Sequence, residues 1–370
     1  MQVLAIEPYY GGSHQAFLDG VIAGSRHRWS LATLPARHWK WRMRSAPVQL
    51  CPLVADLVRS RGVPEVVLAG DMLDLPTWLG LASRDARFHW LHDVPVVTYF
   101  HENQWAYPPA PDARTDHHFG YTNLLTAAAS DACWFNSEFN RRTFFELSRD
   151  FISRMPDARQ AIDLTGIEQA SRVIAPGFRP PKIRDRADRD DAPIRLGWVG
   201  RFEHDKRPDR FLALLDCLAA QAVRFELILL GQRGRRREVI DQIRARHGAS
   251  ILFDDYVESR EAYEARLGQI DVVVSTAEHE FFGIAMCEAI WAGAIPVTPD
   301  GLSYVEYVPE SLRYGAIEQA AEIIKGLQTP EHRERLSERC RGGIADYRID
   351  RVVSVIDSAL ETVGSRSGDF

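Results

Sequence analysis

One stretch, Thr276-Ala277-Glu278-His279-Glu280-Phe281-Phe282-Gly283-Ile284-Ala285-Met286-Cys287-Glu288-Ala289-Ile290-Trp291-Ala292-Gly293, constrains the rest of the chain more than any other. An apolar run from Asp271 to Ser275 precedes it and reads as a buried parallel strand. Gly283 marks a turn, and Ile284 to Trp291 reads as a helix that Gly293 ends. Glu280 then falls just before a helix N-terminus and Glu288 about one turn inside it, within reach of a ligand at the same edge. A helix N-terminus presents free N–H groups and partial positive charge, which suits a diphosphate, while two carboxylates suit a hydroxyl-rich sugar. Taken alone, two glutamates eight apart near a glycine fit a solvated helix face better. The buried strand before them, the apolar helix and the further strand Ile295-Pro296-Val297-Thr298 favour a site.

Elsewhere the chain alternates short apolar runs with helical patterns. Val3–Ile6, Trp29–Leu34, Val66–Ala69, Val94–Phe100, Ala132–Phe135 and Val173–Ala175 read as six strands of a first half. Ile194–Val199, Phe225–Leu230, Ile251–Phe253, Val272–Ser275 and Ile295–Thr298 read as strands of a second. Such alternation predicts two α/β domains with parallel sheets and helices on both faces. Residues 1–180 form the first, a Pro, Arg and Asp-rich linker covers 181–193, the second spans 194–346, and a last helix lies within 347–370. With 370 residues each domain can hold a full core. A net charge of -6 leaves no global field for nucleic acid. Any polyanion must use a local patch, such as Arg37–Arg44 or Gln232–Arg237. Five scattered cysteines without metal or disulfide spacing suit a reducing compartment, and a cytoplasmic protein is expected. No signal peptide and no apolar window of about 18 residues is read, so no membrane insertion is expected.

Polar groups at the carboxyl ends of parallel strands face the ligand crevice of doubly wound folds. The first strand leads into Glu7-Pro8-Tyr9-Tyr10-Gly11-Gly12-Ser13-His14, where Gly11 and Gly12 either let a ligand approach the backbone or simply make a tight turn. The fourth leads into His101-Glu102-Asn103-Gln104, a density of polar groups that raises His101 above an ordinary strand-end histidine. Directly after the second strand, Arg37, Trp39, Lys40, Trp41, Arg42 and Arg44 interleave cations with aromatics. They can hold phosphates and stack on bases, lie on an anionic membrane, or form a solvated loop with the tryptophans packed inward. In the second half, Arg201 and Lys206 lie five apart across one strand-end loop, the geometry of a phosphate clamp, although taken alone they fit a surface loop with spare charges better. No Asp-x-Asp pair occupies such a loop: Asp254-Asp255 is adjacent, and Asp188-Arg189-Asp190 is in the linker. The cations opposing any bound diphosphate are therefore expected to be side chains, with no metal and no cofactor.

The segment from Glu280 to Ala289 resembles the E-x7-E signature of retaining glycosyltransferases of the GT4 type, and Gly200-Arg201 with Lys206 resembles their phosphate pair. That resemblance implies the GT-B fold, two Rossmann-like doubly wound parallel-sheet domains facing across a cleft, with the last helix, within 347–370, crossing back to the first domain. It places Glu280 by the transferred sugar, the amides of Phe282, Gly283 and Ile284 on sugar and phosphate, Glu288 on the ribose, and Gly11 and Gly12 beside phosphate and acceptor. His101 would steady the sugar's developing charge and orient a hydroxyl. Three longer motifs, Ile6–His14, Leu34–Arg42 and Tyr99–Gln104, resemble the tRNA-queuosine alpha-mannosyltransferase subfamily. This implies mannose transfer from GDP-mannose to the queuosine base of tRNA, with Ser13, His14, Arg37, Trp39, Lys40, Trp41, Arg42, Glu102, Asn103 and Gln104 on the acceptor side. A GT4 enzyme using another nucleotide sugar and a lipid or small-molecule acceptor is the alternative.

Overall fold

The computed structural model describes residues 1–108, 116–157, 159, 161–182, 192–231, 238–327 and 329–366. The basic run Gln232–Arg237 and the triplet Asp188-Arg189-Asp190 lie outside the described residues, as does most of the expected linker. The chain divides into two compact units, Met1–Gly177 with Ile349–Phe370, and Phe178–Arg348.

The first unit runs β1 (Gln2–Tyr10), α1 (Gly12–Gly24), β2 (Arg28–Pro35), α2 (Trp39–Arg61), β3 (Val66–Gly70), α3 (Leu75–Ala82), β4 (Val96–Phe100), α4 (His117–Ala128), β5 (Ala132–Phe135), α5 (Glu138–Ser153), α6 (Leu164–Ala170) and β6 (Arg172–Val173). Its six strands pair in parallel in the order β2-β1-β3-β4-β5-β6. Every residue of β3 and β4 is buried, which is why both read as unbroken apolar runs. Along β1 the faces alternate. Leu4 and Ile6 join the cluster built with α2 and α3, whereas Val3 and Ala5 join the one built with α1 and the C-terminal helix Ile349–Arg366. The segment from Trp39 is not a loop: it opens α2, which runs to Arg61 through Pro47 and Pro52. The sixth strand is shorter than the Val173–Ala175 run, pairing only Arg172 and Val173 with β5 before Pro176 interrupts it.

The second unit runs β7 (Ile194–Val199), α7 (Pro208–Ala220), β8 (Phe225–Leu230), α8 (Glu238–His247), β9 (Ile251–Asp255), α9 (Arg260–Leu267), β10 (Val272–Val274), α10 (Ile284–Trp291), β11 (Ile295–Pro299), β12 (Arg313–Tyr314), α11 (Ile317–Lys325) and α12 (Pro330–Gly343). Its strands are again parallel, in the order β12-β11-β10-β7-β8-β9. The order reverses between β7 and β10 here, and between β1 and β3 in the first unit. In an open α/β sheet the crevice outside the strand ends at such a reversal is where ligands bind. The C-terminal helix, α13, lies on the first unit. Gly20 and Gly24 of α1 let it approach, and a Cβ on Gly20 would stand 2.8 Å from Ile349 Cγ1.

Candidate active site

In the second unit, the reversal brings the loop after β7 against the loop after β10. Lys206 Nζ donates to Glu280 Oε2 at 2.9 Å and to the His279 carbonyl at 2.9 Å, and lies 3.3 Å from Asp205 Oδ2. Thr276 Oγ1 donates to the Lys206 carbonyl, and the Glu278 N–H to that of Asp205, so the two loops are tied through their backbones. Burial works against the Lys206 charge, but Glu280 and Asp205 outweigh it and raise its pKa. His279 is pushed down to about 4 by burial and by Lys206, so it is neutral. Arg201 sits on the same loop and is exposed.

Gly283 takes φ 87°, the left-handed region, and caps α10 without a side chain, so the first amides of α10 remain open to a ligand. Ile284 is the first helical residue. The Phe282 ring is buried against Tyr347 and its carbonyl accepts from Tyr307 Oη at 2.7 Å, which leaves its amide, not its ring, to face a ligand. Glu288, on the second turn of α10, is 7% exposed. Arg260 Nη1 donates to its Oε1 at 2.5 Å and Tyr263 Oη to its Oε2 at 3.2 Å. Burial raises the Glu288 pKa, and Arg260 and Tyr263 pull against that rise without cancelling it. Arg260 and Tyr263 escaped the sequence reading. The available signal was indirect: a buried carboxylate needs a cation, and these two stand three apart on α9, on one helical face.

In the first unit, Glu7 is a buried carboxyl near the end of β1. Its Oε1 accepts from the Tyr9 N–H at 2.8 Å and its Oε2 lies 3.2 Å from His14 Nδ1. Gly70 makes this possible, because a Cβ there would collide with Glu7 Oε2. Burial pulls His14 down, but Glu7, Asp71 and Glu102 outweigh it and raise its pKa to about 9, so the ring is an imidazolium. His101 stacks on it, ring centroids 4.1 Å apart and planes 36° apart, and burial together with that imidazolium holds His101 neutral. Asn136 Nδ2 donates to the His101 carbonyl at 2.7 Å, and the His101 N–H reaches Asp71 Oδ1 at 3.4 Å. Asp71, fully buried at the end of β3, is held well above the usual carboxylate range by burial, with the neighbouring Glu102 and Glu7 adding to it. Glu7, His14 and His101 are the described residues whose donor atoms group most like a metal site, all within 4.8 Å of one another. The two imidazoles are tilted 36° to one another, however, and Nδ1 of the protonated His14 is already engaged by Glu7.

Gly11 and Gly12 form the turn between β1 and α1. A Cβ on Gly11 would stand 2.6 Å from Ala36 Cβ, so close packing alone requires glycine there. Ser13 is exposed in the first turn of α1. Glu102 is half-buried and accepts from Gln104 Nε2 at 2.7 Å. Asn103 is fully buried and ties its loop to α5: Nδ2 donates to Asn140 Oδ1 at 2.8 Å, and Oδ1 accepts from the Ala106 N–H at 3.0 Å. Its contribution is to hold Glu102 and Gln104. In the basic segment, Trp39 is half-buried beside Phe119 and Met43, with Lys40 Nζ 5.4 Å from its ring. Trp41 is 69% exposed. Arg37 and Lys40 are exposed, and Arg44 lies 3.6 Å from Asp74. Arg42 is half-buried, and its Nε has no partner among the described residues.

Residues 2–178 match the family of the tRNA-queuosine alpha-mannosyltransferase N-terminal domain, and residues 181–342 match glycosyl transferases group 1. A Drosophila melanogaster tRNA-queuosine alpha-mannosyltransferase is 32% identical over 323 residues, 84% of this chain and 83% of the relative. A GDP-mannose-dependent alpha-(1-6)-phosphatidylinositol dimannoside mannosyltransferase of Mycobacterium tuberculosis is 23% identical, covering 98% of this chain and 92% of the relative. Among solved structures, sucrose-phosphate synthase of Thermosynechococcus elongatus aligns with TM-score 0.72 at 14% identity over 99% of this chain and 100% of the other. Anabaena HepE in complex with UDP aligns with TM-score 0.67 at 15% identity over 98% and 100%. The two Rossmann-like units are those of the GT-B fold.

Proposed function

The chain belongs to the tRNA-queuosine alpha-mannosyltransferase family and is a glycosyltransferase, and we propose that it moves mannose from GDP-mannose to the queuosine base of tRNA with retention of configuration. The observation that carries the acceptor is the match of residues 2–178 to the N-terminal domain of that family, since the second half matches glycosyltransferases broadly. For the donor, the support is that a second relative is named as GDP-mannose-dependent.

The reaction breaks the bond between the anomeric carbon and a diphosphate oxygen. Negative charge grows on the leaving diphosphate and positive charge on the sugar. Lys206 and Arg201 stabilise the first. Lys206 is already partly desolvated and held in place by Glu280 and Asp205, so it needs little reorganisation. The open amides at the start of α10 add to this. Glu280, bonded to Lys206, contacts the sugar, and Glu288, oriented by Arg260 and Tyr263, takes the ribose hydroxyls. The acceptor hydroxyl attacks from the face that the diphosphate leaves, and its proton passes to the departing phosphate oxygen. No enzyme nucleophile and no metal are required. We assign neutral His101 and its fixed carbonyl to the reacting sugar, where a charged ring would oppose the growing positive charge.

On the acceptor side, Arg37, Lys40, Arg42 and Arg44 hold phosphates, and exposed Trp41 stacks on a splayed base. Radiolabelled GDP-mannose offered to the purified protein with queuosine-containing and queuosine-free tRNA tests the whole reading. Label should enter only the former, and EDTA should not prevent it. Label in neither tRNA, or activity lost to EDTA and restored by magnesium or manganese, overturns the acceptor or the metal-free step respectively.

A further inference from the structure

We propose that Asp71 and Glu102, framed by the Glu7–His14 pair, form a cation subsite that takes the protonated secondary amine of the acceptor. The proposal rests on queuosine as that acceptor. In queuosine a secondary amine joins the deazaguanine to the cyclopentenediol, so at neutral pH one positive charge with two N–H donors lies a few bonds from the hydroxyls available for glycosylation.

Four observations converge on this cluster. It stands at the strand-order reversal between β1 and β3, where Glu7 comes from β1, Asp71 follows β3 and Glu102 follows β4. Three carboxyl groups, Glu7, Asp71 and Glu102, surround the single imidazolium of His14, and Glu7 is the one hydrogen-bonded to it. Asp71 is 0% exposed, yet its Oδ2 has no hydrogen-bond partner among the described residues, and its Oδ1 has only the 3.4 Å approach of the His101 N–H. A buried acceptor left unpaired is costly, and a donor arriving with the ligand removes that cost. Glu102, the half-buried member, has one oxygen occupied by Gln104 Nε2. The burial and carboxylate neighbours that oppose ionisation of Asp71 are the conditions an incoming ammonium reverses.

An organic ammonium fits better than a metal ion. His14 is an imidazolium whose Nδ1 is already engaged by Glu7, so it offers a metal no free lone pair there. A two-donor ammonium asks only for two acceptors that are short of donors, which Asp71 and Glu102 supply. The subsite also adjoins His101, whose N–H lies 3.4 Å from Asp71 Oδ1, which places the amine close to the group assigned to the transferred sugar.

The test compares full-length protein with Asp71→Asn and Glu102→Gln, using queuosine nucleoside and an analogue with an ether oxygen in place of the amine. By calorimetry the wild type should bind the amine about tenfold or more tightly than the ether, and each variant should bind the two nearly equally. A second arm needs no queuosine. N-methylcyclopentylammonium, but not cyclopentyl methyl ether, should shift the side-chain 15N resonances of His14, and Asp71→Asn should abolish the shift. Equal binding of amine and ether by the wild type, an unmoved His14 resonance, or stoichiometric zinc in the purified protein would each overturn the subsite. If Asp71→Asn fails to fold, the half-buried Glu102→Gln decides. A His14 shift seen alongside no mannose transfer to queuosine-containing tRNA would sink the acceptor reading and leave the subsite standing.

Discussion

Arg260 touches no part of the E-x7-E segment in sequence, yet Glu288 depends on it. Removing the guanidinium leaves a buried carboxylate with Tyr263 Oη alone, and the group proposed to take the ribose loses its orientation. Arg260→Ala is expected to raise the donor KM about tenfold with kcat nearly unchanged, because a ribose contact is equal in ground and transition states. It should also lower stability by about 3 kcal/mol, the cost of stranding a buried charge. Glu280→Gln should differ in kind: kcat falls by about two orders of magnitude while donor affinity holds, since its contact tightens as the sugar distorts. Steady-state kinetics and urea unfolding on the two variants check both, and identical kinetic effects would reverse the assignment. His14 gives a pH expectation. Its folded pKa of about 9 lies above the ordinary value of 6.5, so the pair with Glu7 stabilises fully below about 6.5 and loses that stability as pH rises through about 9. The loss should reach about 3 kcal/mol in the wild type and vanish in His14→Gln, measured as urea midpoints from pH 6 to pH 10. Residues in one contiguous strand-end motif, such as His101, Lys206 and Glu280, could be proposed from the sequence. Arg260 and Tyr263 could not, because only the fold brings them to Glu288.

At the scale of an element, α2 separates two tryptophans that the sequence could not tell apart. Prolines at 47 and 52 normally argue against a helix, and the cation-rich start reads as loop. The buried stripe Met43, Ala46, Pro47, Leu50, Val54 and Ala55 overrides that, packing α2 onto β1, β2 and β3. The helix then turns Trp39 toward Phe119 and Met43 and Trp41 outward. Trp39→Ala should lower stability by about 2 kcal/mol through lost packing. Trp41→Ala should leave melting unchanged and weaken tRNA binding by roughly 1–3 kcal/mol, the range for a stacked base. Arg42→Ala with Arg44→Ala should flatten the salt dependence of tRNA binding by about one unit of slope per lost phosphate contact. Thermal melts and filter binding across a salt series separate these effects. A Trp41→Ala variant that melts early yet binds tRNA normally would remove the stacking role.

At the scale of the molecule, the parallel sheets were legible because strands covered on both faces are continuous apolar runs, as β3, β4 and β10 are. Periodicity alone could not say which unit α13 joins. An amphipathic helix with Val352, Ile356, Ala359 and Leu360 on one face needs an apolar partner, and a sequence does not name that partner. The structure gives it to the first unit. Those four residues share a cluster with Val3, Ala5, Phe17, Leu18 and Val21, and Ser25 Oγ and the Arg26 N–H bond Asp357. The first unit is therefore built from two separated pieces of chain, and its core is incomplete without the second. Burial of a large aliphatic side chain is worth about 1.5–3 kcal/mol, so losing Val352, Ile356 and Leu360 together removes stability comparable to that of a whole domain. Residues 1–177 produced alone should consequently aggregate or bind a hydrophobic dye. Joining residues 349–370 to them by a short flexible linker should restore a cooperative melt, because Ile349 Cα lies 3.1 Å from where a Cβ on Gly177 would stand. Size-exclusion chromatography and calorimetry on the two fragments check this, and a soluble, cooperatively melting 1–177 fragment would show that α13 adds little to this core.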